Sequence, residues 1–228
     1  NMGNKTISGI PVPYFEEQSK QYGLDDNSDS NHASFFDYDR DGDLDLFILN
    51  HNIGFKDSAK FRLKEQKDGS MKRIKTPETP FESNRLYRND GGRFTDVTAI
   101  AGLVSSAFGL SATPVDIDQD GWLDIYVAND FIEPDNVYFN NRDGTFTDHF
   151  FDYFKHTSHF SMGTDATDFN NDGLVDIIVV DMKSGDHVRY KELANPMQYD
   201  KYNLMVQYGY GRQPGRNMLQ LNCGNNTF

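Results

Sequence analysis

The chain of 228 residues has a single cysteine, Cys223, so no disulfide can form within it. It has no recognisable secretory signal and no apolar run long enough to span a membrane. Basic residues are few, 22 against 35 acidic ones, and the formal net charge is −13. Because nucleic acids are bound by positive surfaces, this charge argues against a nucleic-acid partner.

The sequence also lacks the motifs that usually accompany catalysis. It contains no Gly-x-Ser-x-Gly segment, no phosphate-binding glycine loop and no convincing Ser-His-Asp set. His149, His156 and His159 are loosely spaced and have no cysteine nearby, which argues against a zinc site. We therefore predict no catalytic residues.

What the chain contains instead is one short acidic motif in three copies. Oxygen-bearing side chains stand at positions one, three, five and nine of each copy, and glycine stands at position six. This spacing suits a hard cation with six to eight oxygen ligands, so we predict about three Ca²⁺ ions, one per loop. The residue at position seven can add its backbone carbonyl. The predicted metal ligands are Asp37, Asp39, Asp41, Asp43 and Asp45 in loop 1, Asp116, Asp118, Asp120, Trp122 and Asp124 in loop 2, and Asp168, Asn170, Asp172, Leu174 and Asp176 in loop 3.

Two other interpretations of these loops are weaker. An EF-hand needs a bidentate glutamate at position twelve, where this chain has Ile48, Val127 or Val179. Each loop is also followed by a short apolar run typical of a buried strand, not by a helix. Aspartate and glycine are common in ordinary turns, but three copies in the same frame favour a metal-binding function.

The repetition extends beyond the loops. Phenylalanine stands 22 residues before the first aspartate of each loop, at Phe15, Phe94 and Phe146, and Phe228 is a fourth copy of this position. Strings of strand-forming residues around an Asn/Asp/Gly turn accompany the later copies and indicate β-hairpins. The repeats are therefore 15–94, 94–146 and 146–228.

One unit is thus a strand before the loop, a strand after it and a two-stranded hairpin. Four antiparallel strands per unit, repeated, predict an all-β fold, specifically the blades of a β-propeller. About three blades are present, fewer than the four to eight that close a ring. Residues 1–228 are therefore expected to form a partial propeller domain, an arc of a larger protein.

Two insertions lengthen the outer repeats. The basic insertion 51–83 predicts a protruding hairpin, either a solvated ribbon or a contact for an acidic glycan or partner. The insertion 182–216 predicts a helix ended by Gly209 and Gly211, either as packing or as a sugar or protein site. This second insertion is rich in tyrosine and methionine: Tyr190, Met197, Tyr199, Tyr202, Met205, Tyr208 and Tyr210. Both insertions leave between the same two strands, so they should share one face.

The loops with their apolar strands resemble the FG-GAP/VCBS repeat of integrin α-chain propellers and many bacterial surface proteins. The strings Leu86-Tyr-Arg-Asn-Asp-Gly, Phe94-Thr-Asp-Val-Thr and Ala101-Gly-Leu103 resemble the subgroup of cartilage acidic protein and ASPIC/UnbV-type proteins. The segment from Asn195 to Asn222 is similar to secreted VCBS-repeat proteins of Bacteroidetes-type bacteria. The ASPIC/UnbV module itself is absent, and Asn170 replaces an aspartate in loop 3.

The resemblance implies a calcium-binding propeller that is secreted or lies at the cell surface, such as the bacterial outer membrane. We expect a non-catalytic module for adhesion or recognition, whose partners are a protein or glycan ligand and the remaining blades of the same protein. The alternative is a carbohydrate-active enzyme, a polysaccharide lyase or hydrolase, on a calcium-binding propeller scaffold.

Overall fold

The computed structural model describes residues 2–51, 60–75, 80–182, 185–186, 188–189, 199–224 and 227–228. The chain is mostly β, with antiparallel sheets and few helices, as an all-β fold requires. The helices are α1 (Ser19–Tyr22), α2 (Phe150–Tyr153) and α3 (Tyr199–Gln207), and Pro80–Glu82 forms a 3-10 turn. The strands are β1 (Asn4–Ile7), β2 (Ile10–Pro13), β3 (Ser30–Phe36), β4 (Asp45–Asn50), β5 (Leu63–Glu65), β6 (Met71–Arg73), β7 (Arg85–Asn89), β8 (Phe94–Asp96), β9 (Phe108–Val115), β10 (Asp124–Asp130), β11 (Asn136–Asn140), β12 (Phe146–Asp148), β13 (Ser161–Thr167), β14 (Asp176–Asp181) and β15 (Met218–Gln220).

Three larger sheets follow one another along the chain. The first sheet has the order β3-β4-β7-β8, the second β9-β10-β11-β12 and the third β13-β14-β15. Each metal loop joins the first two strands of its sheet. The first two sheets continue into the predicted hairpins, β7 with β8 and β11 with β12, whereas β15 is the only strand of the third predicted hairpin among the described residues. Within the described residues no sheet closes on itself.

Consecutive sheets pack face to face near their first strands. Strand β9 lies against β3 and β4, and β13 lies against β9 and β10. The Ser34 hydroxyl donates to the Ala112 carbonyl at 3.3 Å, and the Thr113 hydroxyl donates to the Thr164 carbonyl at 3.2 Å. Strand β10 is buried along its whole length because a neighbouring sheet covers each of its faces. This explains why the second strands are almost continuously apolar in sequence.

The start of the fourth strand is tied to the segment that enters its own sheet. The Phe146 amide donates to the Ala101 carbonyl at 2.8 Å, and the Phe228 amide donates to the Tyr153 carbonyl at 3.2 Å. The ring of Phe228 also stacks on Phe154, with 4.3 Å between centroids. Phe228 therefore occupies in the third sheet the position that Phe146 occupies in the second.

The first phenylalanine of the series does not follow the pattern. Strand β2 ends at Pro13 and, among the described strands, pairs only with β1; Phe15 lies outside the strands with 68% of its surface exposed. The expectation of an outer strand around Phe15 is therefore wrong. The reason is that a strand needs a neighbouring strand to pair with, and the spacing of 22 residues in the sequence does not ensure that Phe15 has one.

The two insertions contact each other, on the side of the sheets opposite the metal loops. The predicted hairpin forms as β5 and β6, and the predicted helix forms as α3, with Gly209 beyond its end at a φ of +79°. A small apolar cluster joins them to the second sheet; it contains Ile132, Met205 and Tyr210, with Phe61, Leu63 and Tyr208 packed against it. Tyr190 and Met197 lie outside the described residues.

Polar contacts fix the basic hairpin to this cluster. The Arg62 amide donates to the Tyr210 hydroxyl at 2.8 Å, and the Arg73 guanidinium donates to the Gly209 carbonyl at 3.1 Å. Arg73 also forms a buried ion pair with Glu133 at 2.5 Å. Burial raises the pKa of Glu133 and the Arg73 charge opposes that shift. The hairpin is therefore held on its inner side and is not a freely moving ribbon.

Of the described helices, none combines the length and the apolar character needed to cross a bilayer.

Candidate metal centres

The three loops share one backbone conformation. Position four is left-handed in each, with φ of 60° at Arg40, 60° at Gln119 and 62° at Asn171. Position six is also left-handed and is glycine in each, which avoids the penalty that a Cβ atom would bring there. The sequence pattern thus encodes one specific turn three times.

Backbone amides hold the carboxylates inside each turn. The first aspartate of the loop accepts the glycine amide, at 3.1 Å in loop 1 and 2.9 Å in loops 2 and 3. The aspartate at position five accepts the backbone amide of the residue at position seven, at 2.7 to 2.8 Å in all three loops. These bonds orient the carboxylates, and in loops 1 and 2 three carboxylates of the loop come together.

Loop 1 brings ligand atoms of Asp37, Asp39 and Asp45 within 4.8 Å of one another. One oxygen of Asp37 and one of Asp39 (both Oδ1) are buried and have no hydrogen-bond partner. A buried carboxylate oxygen without a partner is costly unless it meets a cation. The donor set of loop 1 therefore fits a hard cation such as Ca²⁺. Asp41 and Asp43 lie at the exposed rim of the loop, and Asp43 accepts the Gly91 amide at 3.2 Å.

Loop 2 brings Asp116, Asp118 and Asp120 within the same distance of one another. Burial raises the pKa of Asp118, and the neighbouring charge of Asp120 raises it further. The Asp120 carboxylate also pairs with Arg142 at 2.6 Å. A cation in this loop would relieve the repulsion among the three carboxylates, as it would in loop 1, where burial and Asp41 raise the pKa of Asp39.

Loop 3 is differently arranged. Among the described residues, three acidic groups come within 4.8 Å only in loops 1 and 2. In loop 3 the Asn170 amide group donates to Asp172 at 2.9 Å, and its oxygen accepts the Asp172 amide at 2.9 Å. The Asn170 amide group thus donates to the Asp172 carboxylate, whose negative charge a cation would otherwise neutralise.

The aspartates at position nine have a second role that the sequence did not reveal. Asp45, Asp124 and Asp176 are buried, and both oxygens of each accept backbone amides. Asp124 accepts from Ile117 at 2.9 Å and from Asn140 at 2.9 Å. Equivalent pairs of bonds occur at Asp45 and Asp176, at 2.9 to 3.3 Å. Burial raises the pKa of Asp45 to about 6 and that of Asp124 to about 7.

Three hairpin asparagines complete this arrangement and were missed as functional residues. The amides of Asn89, Asn140 and Asn222 supply one of the two bonds to each position-nine aspartate. The Asn140 side chain donates to the Tyr38 carbonyl of loop 1 at 2.8 Å, and that of Asn222 donates to the Ile117 carbonyl of loop 2 at 3.4 Å. Asn140 and Asn222 therefore tie their own sheets to the preceding metal loop, whereas the Asn89 side chain donates to the Leu44 carbonyl in the loop of its own sheet, at 3.0 Å. Their recurrence at the end of the third strand was the signal available in the sequence.

A second group of carboxylates, the buried Asp130 and Asp135 and the half-buried Asp181, lies at the opposite ends of the strands. Burial raises the pKa of Asp130 and of Asp135 to about 6, and Asp181 adds to the effect at Asp130. Asp135 accepts the Tyr126 hydroxyl at 2.8 Å and the Asn129 amide at 2.9 Å. Asp181 accepts from the Ser158 hydroxyl and from the Phe160 amide. Because these bonds join strand ends and connections, they favour a structural role.

A comparison with known protein families finds a repeat in the part of the chain that contains loops 2 and 3. A family model described as FG-GAP-like repeat matches residues 78–127 and, as a second copy, residues 116–179. The matched spans contain loops 2 and 3 with their flanking strands, and loop 1 precedes them. The matches support the FG-GAP repeat family, whose repeats occur in integrin-like extracellular β-propeller modules. No curated protein matches the chain.

Proposed function

We propose that the chain is a calcium-stabilised arc of a β-propeller that acts outside the cell as a recognition module. The observation that carries the calcium assignment is the pair of buried, unpartnered oxygens on Asp37 and Asp39 in loop 1. These oxygens converge with Asp45 in a turn whose backbone occurs three times. Ca²⁺ would neutralise the converging charges and hold β3 to β4, β9 to β10 and β13 to β14.

The propeller assignment rests on repeated packing between sheets. The second and third sheets each place their first strand against the preceding sheet. In the third sheet Ile178 and Val180 are 40% and 43% exposed, although the equivalent residues of the earlier sheets are buried. Those equivalents are Phe47 and Leu49 in β4, and Tyr126 and Ala128 in β10. Because the same face is covered twice by a following sheet, we infer that another blade covers it a third time.

The recognition role rests on the two insertions. They meet on one side of the sheets, away from the metal loops, and make a continuous surface from the basic hairpin and the aromatic helix segment. Tyr199, the first residue of α3, is 78% exposed, whereas Tyr210 is buried in the cluster between the two insertions. Insertions on a rigid repeat scaffold commonly carry its binding function. FG-GAP repeats typically occur in extracellular proteins, where Ca²⁺ is abundant, and we extend the likeness to secreted VCBS-repeat proteins.

Calorimetric titration of the metal-free chain with CaCl₂ tests the site assignments. We expect Asp39→Asn to abolish binding at one site, because it removes the buried charge at the centre of loop 1. The matched control is Asp143→Asn, an exposed aspartate in the β11–β12 turn, which should leave every site unchanged.

The same titration ranks the third loop. Asn170 adds an oxygen but no charge, so loop 3 should be the weakest site, and Asn170→Asp should tighten it by roughly an order of magnitude. Three equal sites in the parent chain, or no change on this substitution, would contradict the assignment of loop 3.

A further inference from the structure

The hairpin from residue 60 to residue 75 concentrates positive charge on an otherwise acidic chain. It has seven basic residues against two acidic ones, while the whole chain has a net charge of −13. The acidic residues are Glu65 and Asp68, and Asp68 is engaged with the Ser70 amide and hydroxyl at 2.9 and 2.6 Å. The basic residues are Lys60, Arg62, Lys64, Lys67, Lys72, Arg73 and Lys75.

The inner face of the hairpin attaches it to the rest of the protein. Phe61 and Leu63 pack against the cluster around Tyr210, and Arg73 lies 4.9 Å from the Tyr210 ring while it pairs with Glu133. Strand alternation then directs Lys64 and Lys72 to the other face, where both are exposed. The hairpin is thus a fixed platform that presents lysines outward.

The outward lysines lie close enough together for their positive charges to repel one another. Lys64 and Lys72 are direct partners in the antiparallel register, and Lys67 lies in the adjoining turn. Like charges directly opposite on one sheet face destabilise a strand pair. In the described part of the chain, no carboxylate lies within 4 Å of these three ammonium groups. A bound anion would remove the repulsion.

We propose that the outward face of the hairpin, formed by Lys64, Lys67 and Lys72, binds a linear acidic polysaccharide that carries carboxylate or sulfate groups. The inference deepens the proposed recognition function and rests on it. A polysaccharide is favoured over an acidic protein because the three side chains that form this face are all charged, while Met71, the partner of Glu65, lies on the other face by strand alternation. Protein interfaces normally need an apolar, aromatic core.

Binding of the full chain to dextran sulfate and to polygalacturonate tests the proposal, with uncharged dextran and polyglutamate as comparison probes. Both acidic polysaccharides should bind at low salt and weaken steeply as salt rises, because binding releases counterions. The variant Lys64→Gln/Lys67→Gln/Lys72→Gln should lower the affinity roughly tenfold or more at low salt. The matched control Lys5→Gln/Lys20→Gln/Lys155→Gln removes three exposed lysines elsewhere and should bind as the parent does.

Calcium-dependent melting of every variant separates this inference from the proposed function. An unchanged calcium shift with lost polysaccharide binding supports the hairpin site. No binding by the parent chain, equal loss in both triple variants, or tighter binding to polyglutamate than to either polysaccharide would overturn it. Binding without any calcium shift would support the hairpin site and overturn the calcium-stabilised frame instead.

Discussion

Replacing Asp124 by alanine is expected to lower the free energy of unfolding by about 2–5 kcal/mol, the cost of leaving two buried donors unpaired. The carboxylate accepts the amides of Ile117 and Asn140, both at 2.9 Å, and it is almost fully buried. Urea denaturation should therefore show a lower midpoint for the variant. Because the lost partners are backbone amides, the loss should occur in excess chelator as well as in Ca²⁺.

Persistence in chelator separates the two roles of the position-nine aspartates. If Asp124 were only a metal ligand, its replacement would destabilise the chain only when Ca²⁺ is present. If it also links the loop to the hairpin by hydrogen bonds, its replacement destabilises the chain with and without Ca²⁺. Asp143→Ala, at an exposed turn of the same sheet, should change the unfolding free energy by less than about 1 kcal/mol. An Asp124→Ala variant that matches the parent in chelator would contradict the bracing role.

Replacing Arg73 by methionine is expected to cost about 3–5 kcal/mol, because it leaves the buried Glu133 carboxylate without its partner. Burial already raises the pKa of Glu133, and removal of Arg73 removes the charge that opposes this shift. A carboxyl whose folded pKa is raised stabilises the fold below its unfolded pKa and loses that contribution as the pH rises. The cost should therefore be smaller near pH 5 than near pH 8.

The double variant Arg73→Met/Glu133→Met is the control for this pair. It removes both charges while keeping apolar volume, so it should recover most of the stability that the single variant loses. Thermal melting at the two pH values measures both effects. A single variant that melts within about 2 °C of the parent at pH 8 would show that the hairpin is not anchored through this pair.

The local elements of this fold were predictable because their determinants are short. The spacing of aspartate and glycine fixed the three turns, and the apolar runs after them gave β4, β10 and β14. Turn chemistry likewise predicted β5 with β6, and the spacing of tyrosines predicted α3. Each of these patterns depends on residues that are close to one another in the sequence.

What the sequence could not supply were contacts between distant segments. Asn140 reads as an ordinary turn residue, yet its side chain bonds to loop 1, 102 residues earlier. Asp124 was predicted only as a ligand, because one of its two partner amides, that of Asn140, comes from the following hairpin. Arg73 looked like one basic residue among several, since Glu133 lies 60 residues away. Phe15 has the spacing of the repeat, but it lies beyond the end of β2 and outside the strands of the described chain.

The central claim is that the loops bind Ca²⁺ and stabilise the sheets, and thermal melting with and without chelator tests it most directly. A cation that binds only the folded chain at a hundred times its dissociation constant adds about 2.7 kcal/mol per site. For a chain of this size each such site raises the melting midpoint by roughly 5–10 °C. The account predicts that EDTA lowers the midpoint by at least this amount and that added CaCl₂ restores it. The same midpoint in EDTA and in millimolar CaCl₂ would contradict it.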